Sequence, residues 1–296
     1  MIRVQDLRKH YGPIRAVDGI SFEIERGETF GLLGPNGAGK TTTIHMIAGI
    51  LPPDAGSVEI NGSSDPTRAS VRSQLGVAPQ ALALYEELTG EENLAFFGRL
   101  HGLRGATLRG RVQWALEFAE LTERRRSLVK TYSGGMKRRL NLAIALIHEP
   151  PALLLDEPTV GVDPQSRNHI FGRIEDLRRR GLTVLYTTHY MEEAQRLCDR
   201  VAIMDHGKML DVGTVDELIS RHGGVSVIEA ELERPPESTV SLPGTLEGTS
   251  LRIETTKPLE EVARLAELGV RITALKVHRP DLETVFLALT GRRLRD

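Results

Sequence analysis

The segment 34-GPNGAGKT-41 combines glycines, a lysine and a threonine at a spacing suited to a phosphate chain. Gly34, Gly37 and Gly39 let the backbone curl so that its N–H groups face phosphate oxygens. Asn36, Ala38 and Lys40 add backbone donors in that curl, which also contains Pro35. The Lys40 ammonium would reach the β and γ phosphates, the Thr41 hydroxyl would face Mg²⁺, and the Thr42 backbone would donate to the α phosphate. A second set lies far along the chain, where 152-ALLLDEP-158 runs an apolar stretch into adjacent carboxylates. There Asp156 is placed to hold Mg²⁺ through water, and Glu157 to polarise an attacking water. Neighbouring residues on a strand point to opposite faces, so Glu157 needs the chain to turn as it leaves toward Pro158.

These groups need a strand-to-helix turn and a second strand ending beside it. The stretch 29-TFGLLG-34 reads as the first strand, and residues from Lys40 to Ile50 read as the helix, stopped by Pro52-Pro53. Before them, 2-IRV-4 and 14-IRAVDGISFEIE-25 read as strands, separated by a turn at Tyr11-Gly12-Pro13. After them come the strand 57-SVEING-62, a short helix from residue 67 and the strand 75-LGVAPQ-80. Residues 86 to 148 carry helical spacing around Leu94, Phe97, Leu100, Val112, Leu116 and Leu121, which predicts a helical subdomain inserted in an α/β core. Alternation then resumes with strands at 152–156, 182–188 and 200–206, and helices near 165–180 and 190–198. Near-continuous apolar strands separated by helices predict a parallel sheet covered on both faces. The glycines of 222-HGG-224 mark a boundary between a domain of residues 1–220 and a small α/β appendage over 225–296.

Composition narrows the function classes. A hydrophobic fraction of 40% and a charged fraction of 26% describe a folded globular chain, and a net charge of -2 provides no global field for nucleic acid. No stretch approaches the roughly 20 apolar residues of a membrane-spanning helix, so any membrane role is expected to be peripheral. The opening residues show no signal-peptide core. The single cysteine, Cys198, forms no intrachain disulfide and reads as a small packed hydrophobe.

The segment 132-YSGGMKRR-139, together with the phosphate loop and the acidic strand, resembles the ATP-binding cassette (ABC) family over about residues 2 to 218. The resemblance implies a P-loop NTPase core with an antiparallel β subdomain and the inserted helical subdomain. It also implies ATP and Mg²⁺ as ligands, and ATP hydrolysis by two copies of the chain sandwiching two nucleotides. In that arrangement Ser133, Gly134 and Gly135 face the nucleotide of the opposite subunit, with backbone N–H groups exposed at a helix start. Tyr11 matches the aromatic that stacks on adenine, and Gln80 the glutamine that senses Mg²⁺, water and the membrane partner. Asp163, in 159-TVGVD-163, matches the loop crossing the dimer interface. His189 matches the histidine that contacts the γ phosphate and helps to position water. Tyr132, Met136, Val160 and Val162 depart from the family's commonest choices, whereas the proposed phosphate donors Ser133, Gly134 and Gly135 are retained.

The stretches 85-YEELTGEENLAFFGRLHG-102 and 132-YSGGMKRRL-140 resemble cassettes paired with multidrug, antibiotic or polysaccharide exporters, and 281-DLETVFLALTG-291 resembles the tail of drug-resistance-type bacterial cassettes. The implied setting is the cytoplasmic face of the cell membrane, against a separate multi-spanning permease and with no direct nucleic-acid partner. Three alternatives share some or all of these site residues: an importer ATPase, a soluble cassette acting in nucleic-acid repair or translation, and a nonenzymatic ATP-gated subunit. A long coiled-coil insertion or a second ATPase core would mark the soluble class, and the chain has neither.

Overall fold

The computed structural model describes residues 1–234 and 242–292, arranged as two compact units that divide at Val215/Asp216. The first unit opens with β1 (Ile2–Tyr11), β2 (Ile14–Ile24), β3 (Thr29–Leu33), α1 (Lys40–Ile47), β4 (Ala55–Ile60), α2 (Ala69–Arg72) and β5 (Leu75–Ala78). The helical insertion follows as α3 (Gly90–Leu100), α4 (Gly105–Phe118) and α5 (Gly134–Ala145). The unit continues through β6 (Ala152–Asp156), α6 (Pro164–Arg179), β7 (Thr183–Thr188), α7 (Met191–Leu197), β8 (Arg200–Asp205) and β9 (Lys208–Gly213).

Two sheets form this unit. One is antiparallel with strand order β2-β1-β4; the other has order β5-β6-β7-β3-β8-β9. In the larger sheet β3, β5, β6, β7 and β8 run parallel, and every residue of β3, β6 and β7 is buried, as expected where both faces are covered. The strands read from the sequence thus pair as expected; a further one, β9, lies beyond them and pairs antiparallel with β8. Phe22 of β2 stacks on Phe30 of β3 at 5.1 Å between ring centres, joining the two sheets in one apolar core with Ile2, Leu7, Ile44 and Leu154.

The helical insertion buries its own cluster, including Leu94, Leu116, Leu140 and Ile147, each fully shielded from water and each contributing roughly 1.5–3 kcal/mol by burial. Its first helix begins with a capping box: the Thr89 hydroxyl accepts from Glu92 N, and the Glu92 carboxylate accepts from Thr89 N.

The second unit holds α8 (Val215–His222), β10 (Ser226–Leu232), β11 (Thr245–Glu247), β12 (Ser250–Thr255), α9 (Pro258–Glu267), β13 (Ile272–His278) and α10 (Leu282–Thr290). Its strands form an antiparallel sheet of order β11-β12-β10-β13, and Leu265 of α9 packs on Ile228, Ala230 and Leu251. Residue 281 caps α10 through a capping box between Asp281 and Thr284, and Gly291 ends the helix in the left-handed region. Among the described residues no helix is long and apolar enough to cross a membrane.

Candidate nucleotide site

The phosphate loop spans the turn from β3 to α1. At two of its glycines no other residue fits: a Cβ on Gly34 would sit 2.3 Å from the Met204 carbonyl oxygen, and one on Gly39 would sit 2.3 Å from that of Ala16. Gly39 also has φ +104° at the cap of α1. The loop thereby folds tightly enough for the Lys40 side chain to turn back along it. Its ammonium donates to the carbonyl oxygens of Gly34 at 2.7 Å and Pro35 at 3.0 Å, and pairs with Glu157 Oε1 at 2.9 Å.

At the end of β6, Asp156 is buried. Its Oδ1 accepts from the Thr187 hydroxyl at 2.8 Å and from the Thr41 hydroxyl at 3.2 Å, which brings a carboxylate and a threonine oxygen together at the start of α1. Glu157 reaches the same place by a backbone device. It adopts φ +45°, a conformation that costs a non-glycine residue about 1–3 kcal/mol, and its N–H is held by the Thr187 hydroxyl at 3.0 Å. The turn that redirects this carboxylate therefore occurs at Glu157 itself, one residue before the proline. With Oε1 on Lys40, Oε2 meets His189 Nδ1 at 3.1 Å, so lysine, glutamate and histidine form a row, the first two buried and the histidine partly so.

Lys40, Thr41, Thr42 and Glu157 line a cavity of about 630 Å³, as do the loop residues Asn36, Gly37, Ala38 and Gly39, and Gln80 enters it from beyond β5. Tyr11 lies outside that lining, half exposed at the end of β1; Ile14, its partner across the turn, lies inside it. Ser133, Gly134, Gly135 and Asp163 also lie outside it. Ser133 caps α5, its hydroxyl accepting from Met136 N at 3.2 Å, and Asp163 caps α6, accepting from Ser166 N at 2.9 Å. Those hydrogen bonds from Ser166 hold the Asp163 carboxyl below its ordinary range. The two caps touch, since a Cβ on Gly135 would fall 2.1 Å from the Ser166 hydroxyl and 3.2 Å from Asp163 Oδ2. One surface thus carries Ser133, Gly134 and Asp163, all exposed and separate from this chain's own phosphate loop.

Several supporting residues escaped the sequence reading. Arg138 is buried on α5 and donates to the carbonyl oxygens of Gln80 at 2.8 Å, Pro79 at 3.3 Å and Val160 at 3.3 Å. Burial lowers its guanidinium from the ordinary arginine value. Asn141, one turn on, also donates to Pro79 O at 3.3 Å. The available signal was an arginine and an asparagine three apart among the apolar residues of one helix. Glu193, buried on α7, gathers donors from three other segments.

Residues 17–160 match the family described as "ABC transporter". The chain is 43% identical over 311 residues to the linearmycin resistance ATP-binding protein LnrL of Bacillus subtilis, covering 100% of each. It is 43% identical to the Nod factor export ATP-binding protein I of Ralstonia nicotianae, covering 100% of this chain and 95% of that one. Among solved structures, the ATP-binding subunit of an ABC transporter superposes with a TM-score of 0.69 at 33% identity, covering 75% of this chain and 93% of that one. A dimeric ATP-binding cassette in a post-hydrolysis state with ADP and Pi superposes at 0.67 with 26% identity, covering 72% and 98% respectively.

Proposed function

The chain belongs to the ABC transporter family of ATPases, and from that premise we propose that it powers export through a separate membrane permease, using Glu157 and His189 for hydrolysis. The observation that carries the site assignment is the row of Lys40, Glu157 and His189 beside the phosphate loop. Phosphate oxygens compete for the Lys40 ammonium and draw it from Glu157. The released Glu157 oxygen accepts a proton as water attacks the γ phosphorus and the bond to the ADP oxygen breaks. His189, held beside Glu157, positions that water and the γ phosphate.

The adjoining oxygens of Asp156 and Thr41, 3.2 Å apart, fit a hard cation that takes its remaining ligands from phosphate and water. They are the residues that would hold Mg²⁺, with Gln80 facing the same cavity. When bound, Mg²⁺ supplies neutralisation of phosphate charge.

The exposed surface of Ser133, Gly134 and Asp163 supports a dimer in which each chain completes the other's nucleotide site. Tyr11, exposed near the cavity, is assigned to adenine stacking. We assign residues 1–220 to the ATPase domain and 225–296 to an accessory domain. The names of the relatives, linearmycin resistance and Nod factor export, favour export of an antibiotic, drug, lipid or saccharide at the cytoplasmic face of the membrane.

Affinity capture from detergent-solubilised native membranes with Mg-ATP, comparing wild type with Glu157→Gln, tests this reading. Recovery of a multi-spanning permease, enriched by the substitution, is the expected result. Reproducible recovery of soluble ribosomal or nucleic-acid partners alone would overturn it.

A further inference from the structure

Glu193 stands behind the nucleotide site, 1% exposed, with both oxygens fully engaged. Its Oε1 accepts from the Thr159 hydroxyl at 2.5 Å and Arg167 Nε at 2.9 Å. Its Oε2 accepts from the Tyr186 hydroxyl at 2.8 Å and the Thr188 hydroxyl at 2.7 Å. Four donors occupy the lone-pair sites of one carboxylate, and hydrogen bonds to a charged acceptor are roughly twice as strong as neutral ones. The donors come from places that matter. Thr159 begins the 159–163 loop that ends at Asp163, and Arg167 lies on α6 just beyond it. Thr188 precedes His189, and its hydroxyl also accepts from Tyr190 N at 2.9 Å, pinning the chain on both sides of His189. The Arg167 guanidinium lies 4.8 Å from the Tyr190 ring centre, a second tie between the same two segments.

We propose that Glu193 is a positioning residue that locks the His189 segment to the Asp163 loop, so that displacement of one is transmitted to the other. On the dimer reading given above, this clamp links the hydrolytic histidine of one nucleotide site to the surface facing the second copy. The inference rests on that reading for its catalytic consequence, and on the hydrogen bonds alone for its mechanical one. Replacing Glu193 by Gln keeps the shape but leaves one acceptor oxygen for four donors and removes the charge facing Arg167. Replacing Thr159 by Val cuts a single arm of the clamp at nearly constant volume.

The test uses the full-length chain, with hydrogen exchange read by mass spectrometry and ATP turnover measured in parallel. Glu193→Gln is expected to raise exchange about tenfold both in peptides spanning 158–166 and in those spanning 186–192, with peptides of the helical insertion unchanged. Thr159→Val, which touches neither His189 nor Tyr190, is expected to raise exchange in the 186–192 peptides as well. In turnover, Glu193→Gln lowers kcat about tenfold while KM for ATP stays within about twofold, and adding Thr159→Val lowers kcat no further. Exchange that rises in one segment only, or equally across the chain, overturns the proposal. So does a kcat loss that matches the loss of folded protein. If the wild type hydrolyses no ATP, the functional reading fails while the exchange data still decide the clamp. Should Glu193→Gln not fold, Thr159→Val alone decides it by whether its effect reaches residues 186–192.

Discussion

Lys40 Nζ and Glu157 Oε1 lie 2.9 Å apart with both side chains at most 5% exposed, so the phosphate-loop cation and the proposed water-polarising carboxylate share one buried ion pair. Nucleotide binding on this arrangement is an exchange of partners: Lys40 leaves Glu157 and takes phosphate. The cost of breaking the pair offsets part of the attraction between Lys40 and the incoming charge.

Glu157→Gln therefore separates two effects. The amide holds Lys40 less strongly than a carboxylate does, so affinity for a fluorescent ATP analogue is expected to rise by up to about tenfold. Phosphate release is expected to fall at least about a hundredfold, since the amide does not take the water proton. Turnover within about twofold of wild type would remove Glu157 from the mechanism.

Gly39 and Gly37 provide a matched pair of backbone tests. Both have positive φ, +104° and +83°, but a Cβ at Gly39 meets the Ala16 carbonyl at 2.3 Å whereas one at Gly37 meets nothing within 4 Å. Gly39→Ala is expected to destabilise the chain by about 2–4 kcal/mol and to abolish nucleotide binding, because the turn into α1 must open. Gly37→Ala carries backbone strain alone, about 1 kcal/mol, and should retain binding. Equal effects in chemical denaturation would show that the clash at Gly39 is relieved by local movement.

Much of this fold was legible because the phosphate loop, the acidic strand and the helical spacing each have a local pattern. What escaped was set by distant atoms. The alternation of β1 was readable only to Val4, since the strand continues to Tyr11 across register shifts and a positive φ at Asp6. Helix α1 was expected to run to Ile50 because Pro52 and Pro53 were the visible stop. It ends at Ile47, where Gly49 turns left-handed at φ +66° and packs so closely that a Cβ would lie 2.3 Å from Pro66 O. Strand β9 is the exception, because its mark was local: only His206 and Gly207, both at positive φ, separate it from β8, and a two-residue link joins antiparallel strands where a parallel crossover needs a dozen or more residues. At the site, the motif residues were readable by type, but the left-handed turn at Glu157 and the anchoring by Arg138 exist only through partners far along the chain.

Arg138 is the anchor to test. Its guanidinium serves three carbonyls on two loops, the loop of Gln80 and the loop leading to Asp163. Arg138→Met keeps the aliphatic packing and removes every donor, with an expected loss of about 2–3 kcal/mol because those carbonyls lose a donor in a part-buried place. Lysine should rescue only partly, since one ammonium does not span the same fork of acceptors. Full rescue by lysine in urea denaturation would show that charge alone, rather than the planar fork, holds the loops.

His148 predicts the pH response of the helical insertion. Its ring stacks on His101 at 3.6 Å, its Nε2 lies 3.2 Å from the Leu75 carbonyl, and its Nδ1 is buried without a partner. Burial first, then the adjacent His101 and Arg111, lower its pKa from 6.5 to about 4. The unfolded chain takes up this proton near pH 6.5, but the folded chain excludes it until about pH 4. Unfolding thus binds a proton throughout that window, and the stability associated with neutral His148 is complete above it and falls as the solution is acidified through it. His148→Gln cannot titrate. Between pH 7.5 and pH 5 the wild type should lose on the order of 1–2 kcal/mol more than the variant, read as a widening difference in Tm. A Tm difference that stays constant with pH would mean that the folded chain accommodates the imidazolium.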